Sequence, residues 1–396
     1  MATQSLPAHE LTVENAESRR KLLIAIVIVV VFLYWAGLYL YMSTLSVYVQ
    51  AKVNNLAVAG SILSMYGLWQ MIVRLPIGIG ADWLGRRKPF IIVGMLLVGA
   101  GAWVLGHAGT TGGLYLGRAI TGLAAGTWVP LVVVFSSLFK PSESVKAAAI
   151  LTMVASAGKI VATASNGFIN SASGGYSLAF ELAAGLALAA LAVMLFFPEQ
   201  RQPKTGMNIN KFGRLVIRRD VLLPSLLNAV IQYGDWAATF SFIPIVAKNM
   251  GANGIVTSSL LSMNMTVVVL GNFLAASLER RFGARNLSAA CFILLALGIG
   301  AAAAAPGLAF LFVAQAIIAL AVGIGYPVMM GLSISKVEGS ERTIAMGLHQ
   351  AVYAIGMFAG PWLSGLLSNS LGISPMFAIT AGAILVVGLL GIRQFK

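Results

Sequence analysis

Five charged residues lie inside long apolar segments of the chain: Arg74, Arg118, Lys159, Glu181 and Asp235. A charge near the centre of a membrane helix costs at least about 2.5 to 3.5 kcal/mol, so it needs a partner or a water-filled cavity. Charges that persist there commonly bind substrates or carry ions. Because three of the five are cations, they favour a small anionic or zwitterionic organic substrate over a lipophilic cation.

Lys159 and Asp235 are open to two interpretations. They could handle the substrate and a coupled proton, or they could form a buried ion pair that joins two parts of the protein. Asp235 is the preferred proton-coupling residue, because protonation of a carboxylate depends on its burial and on nearby charges, and both could change as the protein opens and closes. Arg118 is the second proton-coupling candidate, with a helix-bridging hydrogen-bond donor as its alternative role. Arg74 could extend to the membrane interface, so a gate or scaffold role is preferred for it.

Two segments carry a polar face at helical spacing. Polar residues recur at steps of four and three between residues 152 and 170, and Asn228, Gln232, Asp235 and Thr239 do so later. Such a face cannot meet lipid, so it lines a cavity or contacts the other half of the protein. The candidate substrate-binding residues are Lys159, Tyr34, Tyr41, Asn166, Gln232, Asn228, Trp128, Gln315 and Tyr326.

The composition is that of a membrane protein. Of 396 residues, 59% are apolar and 10% are charged, and the mean hydropathy is +0.89; soluble domains have roughly 25% charged residues. The net charge of +14 comes from cations in short loops, which indicates membrane topology rather than nucleic-acid binding. Cys291 is the only cysteine and the three histidines are scattered, so we expect no disulfide, metal site or cofactor. With no catalytic set of residues in the sequence, we do not expect an enzyme.

Twelve segments are long and apolar enough to span a membrane, which takes about 20 residues. They lie near 22–49, 57–80, 89–108, 112–137, 147–170, 176–198, 221–247, 254–278, 286–305, 307–335, 343–369 and 372–392. They predict an all-α membrane protein with one six-helix bundle at 22–198 and another at 221–392. The tail 1–21, the basic linker 199–220 and the end 393–396 are placed in the cytosol, because Lys and Arg concentrate on that side.

The two bundles are predicted to be copies of one unit. An offset of 197 to 198 residues superimposes Gly85 on Gly283, Gly126 on Gly323, Pro130 on Pro327, Gly158 on Gly356 and Gly167 on Gly365. Parallel six-helix repeats with a substrate site between them are a transporter architecture. The same offset places four in-span charges opposite uncharged residues, which points away from a shared scaffold role. The pairs are Arg74 with Asn272, Arg118 with Gln315, Lys159 with Met357, and Asp235 with Gly37 or Leu38.

Three motifs carry a resemblance to a known family. The run from Gly78 to Lys88 places a glycine, an acid and another glycine before three consecutive cations, and the run from Leu114 to Gly122 has a central arginine. Both resemble motifs of the major facilitator superfamily (MFS), and the resemblance extends over essentially the whole chain. The run from Gly356 to Gly365 resembles the glycine–proline motif of drug/proton antiporters, but stands in the eleventh helix instead of the fifth. Trp83 also replaces a basic residue that the family prefers.

The resemblance implies two pseudo-symmetric six-helix bundles, the MFS fold, that rock about a central cavity. It also implies a gate in which Asp82 contacts the eleventh helix near its N-terminus, where the helix dipole favours an acid. This contact would hold the cytoplasmic side closed. The candidate gate residues are Asp82, Gly78, Gly85, Arg86, Arg87, Arg74, Gly356, Gly360 and Pro361.

The sequence therefore predicts a secondary transporter that moves a small organic molecule by alternating access, with proton-coupled efflux as the first hypothesis. Proton-coupled uptake of an organic anion and a non-transporting membrane sensor or scaffold remain alternatives. The expected partners are the substrate, protons and the lipid bilayer, without nucleic acid. The expected form is a monomer in the cell (inner or plasma) membrane. Glu181 is expected at the outer interface and His349 to be a surface or packing residue.

Overall fold

A computed structural model describes residues 8–199, 201, 209–338 and 341–395. Over these residues the regular elements are helices. The first half contains α1 (Ala8–Tyr39), α2 (Leu45–Val53), α3 (Leu56–Leu84), α4 (Lys88–Gly106), α5 (Thr111–Gly126), α6 (Trp128–Ser137), α7 (Ser144–Ser173) and α8 (Ser177–Leu195). The second half contains α9 (Ile209–Ile217), α10 (Arg219–Ala237), α11 (Ile243–Asn249), α12 (Gly254–Phe282), α13 (Ala284–Ala303), α14 (Leu308–Ser335), α15 (Arg342–Leu371) and α16 (Ile373–Ile392).

The predicted all-α membrane fold is confirmed. Eleven helices in the described part of the chain are long and apolar enough to cross a membrane, the first at Glu17–Tyr39. The seventh predicted span lies in α10 and α11, which a π-helical turn at Ala238–Phe242 joins. Residues 1–7 of the predicted tail, 200 and 202–208 of the predicted linker, and 396 lie outside the described residues.

The seventh span differs from the prediction of one regular helix over 221–247. Pro244 has no backbone N–H and its ring conflicts with the carbonyl four residues earlier, which disrupts regular α-helix. The π turn accommodates this conflict, and the Ser241 hydroxyl donates to the Trp236 carbonyl at 2.7 Å across it. Asp235 therefore lies immediately before an irregular turn, the kind of place where helices often carry functional residues.

Close backbone contacts recur in both halves, as the internal repeat predicts. A Cβ atom on Gly158 would lie 2.7 Å from the Phe32 carbonyl oxygen of α1, and one on Gly356 would lie 1.9 Å from the Ala229 oxygen of α10. The two glycines are equivalent in the repeat, and so are α1 and α10. Small residues thus let equivalent helices approach closely in each half.

The two halves touch each other at their outer ends. A Cβ atom on Gly167 of α7 would lie 2.5 Å from the Gly254 oxygen of α12, and one on Gly365 of α15 would lie 2.9 Å from the Gly60 Cα atom of α3. Both contacts lie on the side opposite the basic loops. The structure is therefore closed on the outer side.

Candidate functional site

A cavity of about 300 Å³ lies between the two halves, on the cytoplasmic side of the outer contacts. Its walls come from α1, α3, α6 and α7 of the first half and from α10, the π turn, α12, α14 and α15 of the second. Cavities of this size are at the lower end of those that hold small molecules. Two cations, one acid, several amides and eight aromatic rings line it.

Lys159 lies over an aromatic pair on α1. Its ammonium nitrogen is 3.8 Å from the ring centroid of Trp35 and 5.1 Å from that of Tyr39. A cation is attracted to the face of an aromatic ring, most strongly to Trp. The polar face of α7 continues into the cavity with Thr152 and Ser156. The cation is therefore held in place by rings without being neutralised.

Asp235 lines the same cavity and is 5% exposed. Its Oδ1 atom has no hydrogen-bond partner. The ion pairs among the described residues are Arg20–Glu143, Lys21–Glu17, Arg87–Asp82 and Arg218–Asp220. A Lys159–Asp235 ion pair is thus not formed in this structure, and both groups face a shared space.

Arg74 joins the two halves from inside the cavity. Its Nη1 donates to the Tyr353 hydroxyl of α15 at 2.7 Å, and its Nη2 donates to Gln70 Oε1 at 3.0 Å. The side chain is only 4% exposed, so it does not extend to the membrane interface, and its gate or scaffold role stays a prediction. The reason is that polar partners are available in the cavity, which removes the need to reach the interface.

Arg118 is buried behind the cavity wall. It is 1% exposed, donates to the Leu63 carbonyl of α3 at 3.1 Å and lies 4.7 Å from the Tyr66 ring centroid. Tyr66 lines the cavity on its other side. Arg118 thus makes the helix-bridging contact that was its alternative role, and its part in proton coupling stays a prediction.

An aromatic wall faces the two charges. Trp236 stacks on Tyr66 at 5.1 Å and on Phe240 at 4.5 Å, and the Phe240 ring meets Tyr39 edge-on at 6.3 Å. Sequence reasoning did not select Trp35, Tyr39, Trp236 and Phe240. Their signal in the sequence is an aromatic pair four residues apart in each of two pseudo-equivalent segments, α1 and α10 with its π turn. Asp235 lies next to the second pair.

Among the other predicted substrate-binding residues, Gln232, Trp128 and Tyr326 line the cavity with Lys159. Gln232 extends from α10 one turn before Asp235. Trp128 meets Trp35 edge-on at 5.1 Å, and Tyr326 meets Tyr353 edge-on at 5.7 Å. These side chains complete the wall around the two charges.

Five predicted substrate-binding residues lie away from the cavity, and their role stays a prediction. Tyr34 donates to the Ala124 carbonyl at 2.7 Å, and Tyr41 stacks on Phe180 at 4.6 Å. Asn166 accepts from the Thr44 hydroxyl at 2.8 Å near the outer contacts. The remaining two, Asn228 and Gln315, are buried in the second half.

His349 is fully buried and links α15 to α10, so a surface position is excluded. Its Nδ1 lies 3.0 Å from the Ser225 hydroxyl oxygen, and its Nε2 lies 2.8 Å from Asn228 Nδ2. Ser225 gives its own hydrogen to the Val221 carbonyl at 2.6 Å. A neutral imidazole with its hydrogen on Nδ1 satisfies all three contacts together.

The predicted gate residues fall in separate places. Asp82 Oδ1 accepts from Arg87 Nη2 at 2.6 Å within its own turn, and Gly85 ends α3 with a φ of 66°. That φ is left-handed, which favours glycine. Gly78 lies in the last turns of α3 and Arg86 is exposed in the turn.

The part of the predicted gate on α15 contacts other helices. A Cβ atom on Gly360 would lie 2.6 Å from the Tyr233 oxygen of α10, and the Pro361 carbonyl faces Gly60 at the outer contact. The predicted contact of Asp82 with α15 stays a prediction, because in this structure its ion pair is with Arg87.

The described residues contain no group of three His, Cys, Asp or Glu side chains that could hold a metal ion. What the cavity offers is two cations, one free carboxylate oxygen and aromatic surface. This arrangement suits reversible binding of a small polar molecule and transfer of a proton.

Among the known proteins similar to this chain, one relative by sequence and two solved structures of transporters together indicate a family. The chain is 22% identical to the quinolone resistance protein NorA of Staphylococcus aureus over 353 residues, which cover 85% of this chain and 87% of that protein. Among solved structures, the nucleoside transporter NupG superimposes with a TM-score of 0.74 at 17% identity, over 94% of this chain and all of that one. A POT family transporter in complex with 5-aminolevulinic acid gives a TM-score of 0.79 at 12% identity, over 93% and 94% of the two chains.

A family model agrees with this likeness and covers nearly the whole chain. The model described as Major Facilitator Superfamily matches twice, at residues 27–227 and 225–395, once for each half. Together with the repeated glycine contacts and the cavity between the halves, this shows that the chain belongs to the Major Facilitator Superfamily of membrane transporters.

Proposed function

We propose that this transporter exports a small organic anion or zwitterion, or an amphipathic drug or metabolite of that kind, in exchange for protons. The observation that carries the proposal is the placement of Lys159 and Asp235 in one central cavity without an ion pair between them. A free cation and a free carboxylate can bind two different partners. We further propose that the protein works as a monomer in the cell membrane.

The substrate class follows from the cavity wall. Arg74 and Lys159 against Asp235 give a net charge of +1, which favours an anionic group on the substrate. The rings of Trp35, Trp236 and their neighbours offer flat apolar surface next to that charge. Such a wall suits a substrate with a carboxylate and a flat or apolar body.

Asp235 supports the proton-coupled part of the proposal. The carboxylate faces the cavity with an oxygen that no protein group satisfies, so it can accept a proton or a substrate donor. Intramembrane carboxylates commonly relay protons in transporters. Alternation of access would expose Asp235 to each side of the membrane in turn.

Two features support export by alternating access. The outer side is closed by close glycine-to-backbone contacts between the halves, and such contacts can break and re-form when the halves rock. The name of the relative NorA, a quinolone resistance protein, favours export over uptake. Uptake of an organic anion is the second candidate, and the cationic cavity serves it equally well.

The experiment is flux in proteoliposomes. Aromatic carboxylates and amino acids are first screened by the thermal shift that they cause in the purified protein at two pH values. Compounds that bind are then loaded inside vesicles, and a proton gradient of either direction is imposed. Efflux driven by protons moving the opposite way supports the proposal. Co-transport with protons supports uptake, whereas binding without flux supports a sensor and contradicts transport.

A further inference from the structure

A second cavity, of about 370 Å³, lies on the cytoplasmic face of the second half. It is bounded by the start of α10, the end of α14 and the residues just after α16. Arg219 and Lys336 are exposed at its rim, and Leu223, Leu332 and Phe395 are half-buried in its wall. The central cavity and the proposed transport cycle do not use it.

The rim carries two cations, Arg219 and Lys336, that make no ion pair among the described residues. Asp220 forms an ion pair with Arg218, whose Nε and Nη2 donate to the two carboxylate oxygens at 3.0 and 2.7 Å. This bidentate contact holds the pKa of Asp220 below its usual value, so the acid stays ionised and paired. Arg219 only donates to Gln394 Oε1 at 3.1 Å. Arg219 and Lys336 are therefore two cations at the rim without an ion-pair partner among the described residues. The acids Asp220 and, near Arg218, Glu338 and Glu341 lie in the vicinity.

The wall below the rim is apolar and open to lipid. Leu226 follows Leu223 on α10 and is 44% exposed, and Leu390 precedes Gln394 on α16 and is 53% exposed. Both lie deeper in the membrane than the cations, because α10 leaves the cytoplasmic side and α16 returns to it. A cationic rim above an apolar groove matches a phospholipid, with its phosphate at the rim and its acyl chains below.

The first half shows that a cation at the Lys336 position is not needed for the fold, whereas Arg219 has the cation Lys21 as its counterpart. The repeat places Arg20 opposite Arg218 and Leu138 opposite Lys336. The backbone contact is kept: Arg20 Nε donates to the Leu138 carbonyl at 2.7 Å, and Arg218 Nη2 donates to the Lys336 carbonyl at 2.9 Å. Only the second half adds a charged side chain at this position.

We propose that this second cavity binds the phosphate headgroup of an anionic phospholipid of the cytoplasmic leaflet. Each Lys or Arg near the membrane surface contributes about 1 kcal/mol to the attraction of anionic lipid, and two of them lie at one cavity. Arg219 and Lys336 bind the phosphate, while Leu223 and Phe395 contact the first methylenes of the acyl chains.

The test measures lipid binding to the purified full-length protein in detergent, by native mass spectrometry and by thermal shift. Phosphatidylglycerol is titrated against phosphatidylcholine. The double variant Arg219→Ala/Lys336→Ala should bind phosphatidylglycerol about 30-fold more weakly, with phosphatidylcholine unchanged. The control Lys21→Ala/Arg285→Ala removes two other cytoplasmic cations and should retain wild-type binding.

A milder variant guards against misfolding. Lys336→Leu installs the residue that the first half has at the equivalent position, and should weaken phosphatidylglycerol binding about fivefold. Arg219→Lys/Lys336→Arg should keep it. Equal preference for phosphatidylglycerol in the wild type and the alanine double variant would overturn the proposal. The same stabilisation by glycerol 3-phosphate alone would assign the site to a soluble phosphate and overturn the lipid assignment.

Discussion

Helices α7 and α15 occupy equivalent places in the two halves but carry different chemistry. Each places a glycine, Gly158 or Gly356, against the backbone of the first helix of its own half. The next residue in each case lines the cavity, and it is Lys159 in α7 but Met357 in α15. The contact that holds the bundle is thus duplicated, whereas the group that can bind an anion is not.

The same difference holds at two further pairs. Arg74 and its counterpart Asn272 both line the cavity, and Arg118 and its counterpart Gln315 are both buried at 1% exposure. Asp235 reverses the pattern, since its counterpart in the first half, Gly37 or Leu38, carries no charge. The cavity therefore has cations on the first half and an acid on the second. A substrate and a proton could each be held mainly by one half.

Removal of the acid should have the largest effect. Asp235→Asn keeps the shape of the side chain but cannot carry a proton, so proton-driven flux should fall to the level of protein-free liposomes. Substrate exchange without a gradient should persist. Glu181→Gln, which changes an exposed carboxylate outside the cavity, is the comparison variant and should transport normally. Unchanged proton-driven flux in Asp235→Asn would remove the coupling role.

Exchange of Lys159 in α7 and Met357 in α15 tests whether the cation of the first half binds an anionic substrate. Lys159→Met gives α7 the residue of α15, and should weaken binding of an anionic substrate roughly 10- to 150-fold, the value of a hydrogen bond to a charged group. Titration calorimetry measures the change. The reverse variant Met357→Lys controls for position, and Lys159→Met that binds every anion as before would end the anion hypothesis.

Loss of the link between Arg74 and Tyr353 should destabilise the closed outer state. Arg74→Asn installs the counterpart residue and removes a buried charged hydrogen bond, which costs about 1.5 to 3 kcal/mol. The melting temperature should fall, and Tyr353→Phe should reproduce part of the fall because it removes the same bond. A wild-type melting temperature in both variants would show that the link does not hold the halves together.

Crowding of the outer contact should shift the protein toward an outward-open state. A Cβ atom in Gly60→Ala would lie 2.3 Å from the Pro361 carbonyl oxygen, an overpacking worth about 1 to 3 kcal/mol. Gly382→Ala is the matched control, since nothing lies within 4 Å of its Cβ position. Outer cysteine probes next to Gly60 should react faster in Gly60→Ala, and equal rates would contradict the role of this contact.

Removal of the Asp82 carboxylate, in the last turn of α3, should have the smallest effect on stability. Asp82→Asn breaks a half-exposed ion pair with Arg87, so the free energy of unfolding should change by less than about 1 kcal/mol. Its repeat counterpart is Arg280, so the acid is again unduplicated. If Asp82 gates the cytoplasmic side, transport should fall while stability holds. Normal transport would remove the gate.

The candidate site was only partly predictable from single helices. Five predicted residues meet in the cavity: Lys159, Asp235, Gln232, Trp128 and Tyr326. Charged and polar side chains in a membrane span avoid lipid and turn toward the protein interior or a cavity. Tyr34 on α1 and Tyr41 in the turn after it share a sequence stripe but face the inside of their own half. Their neighbours on the adjacent face, Trp35 and Tyr39, line the cavity instead.

Membrane class, orientation and internal repeat were all predictable from the order of the amino acids. Hydropathy, loop cations and glycine spacing are local properties that act on each segment separately. Which face of each helix meets the cavity became known from the packing of the helices in three dimensions. The packing also shows that Lys159 lies over aromatic rings without pairing to Asp235, and that Arg74 donates a hydrogen bond to Tyr353 across the halves. These outcomes depend on the rotation and separation of packed helices, which the pattern along any one helix does not contain.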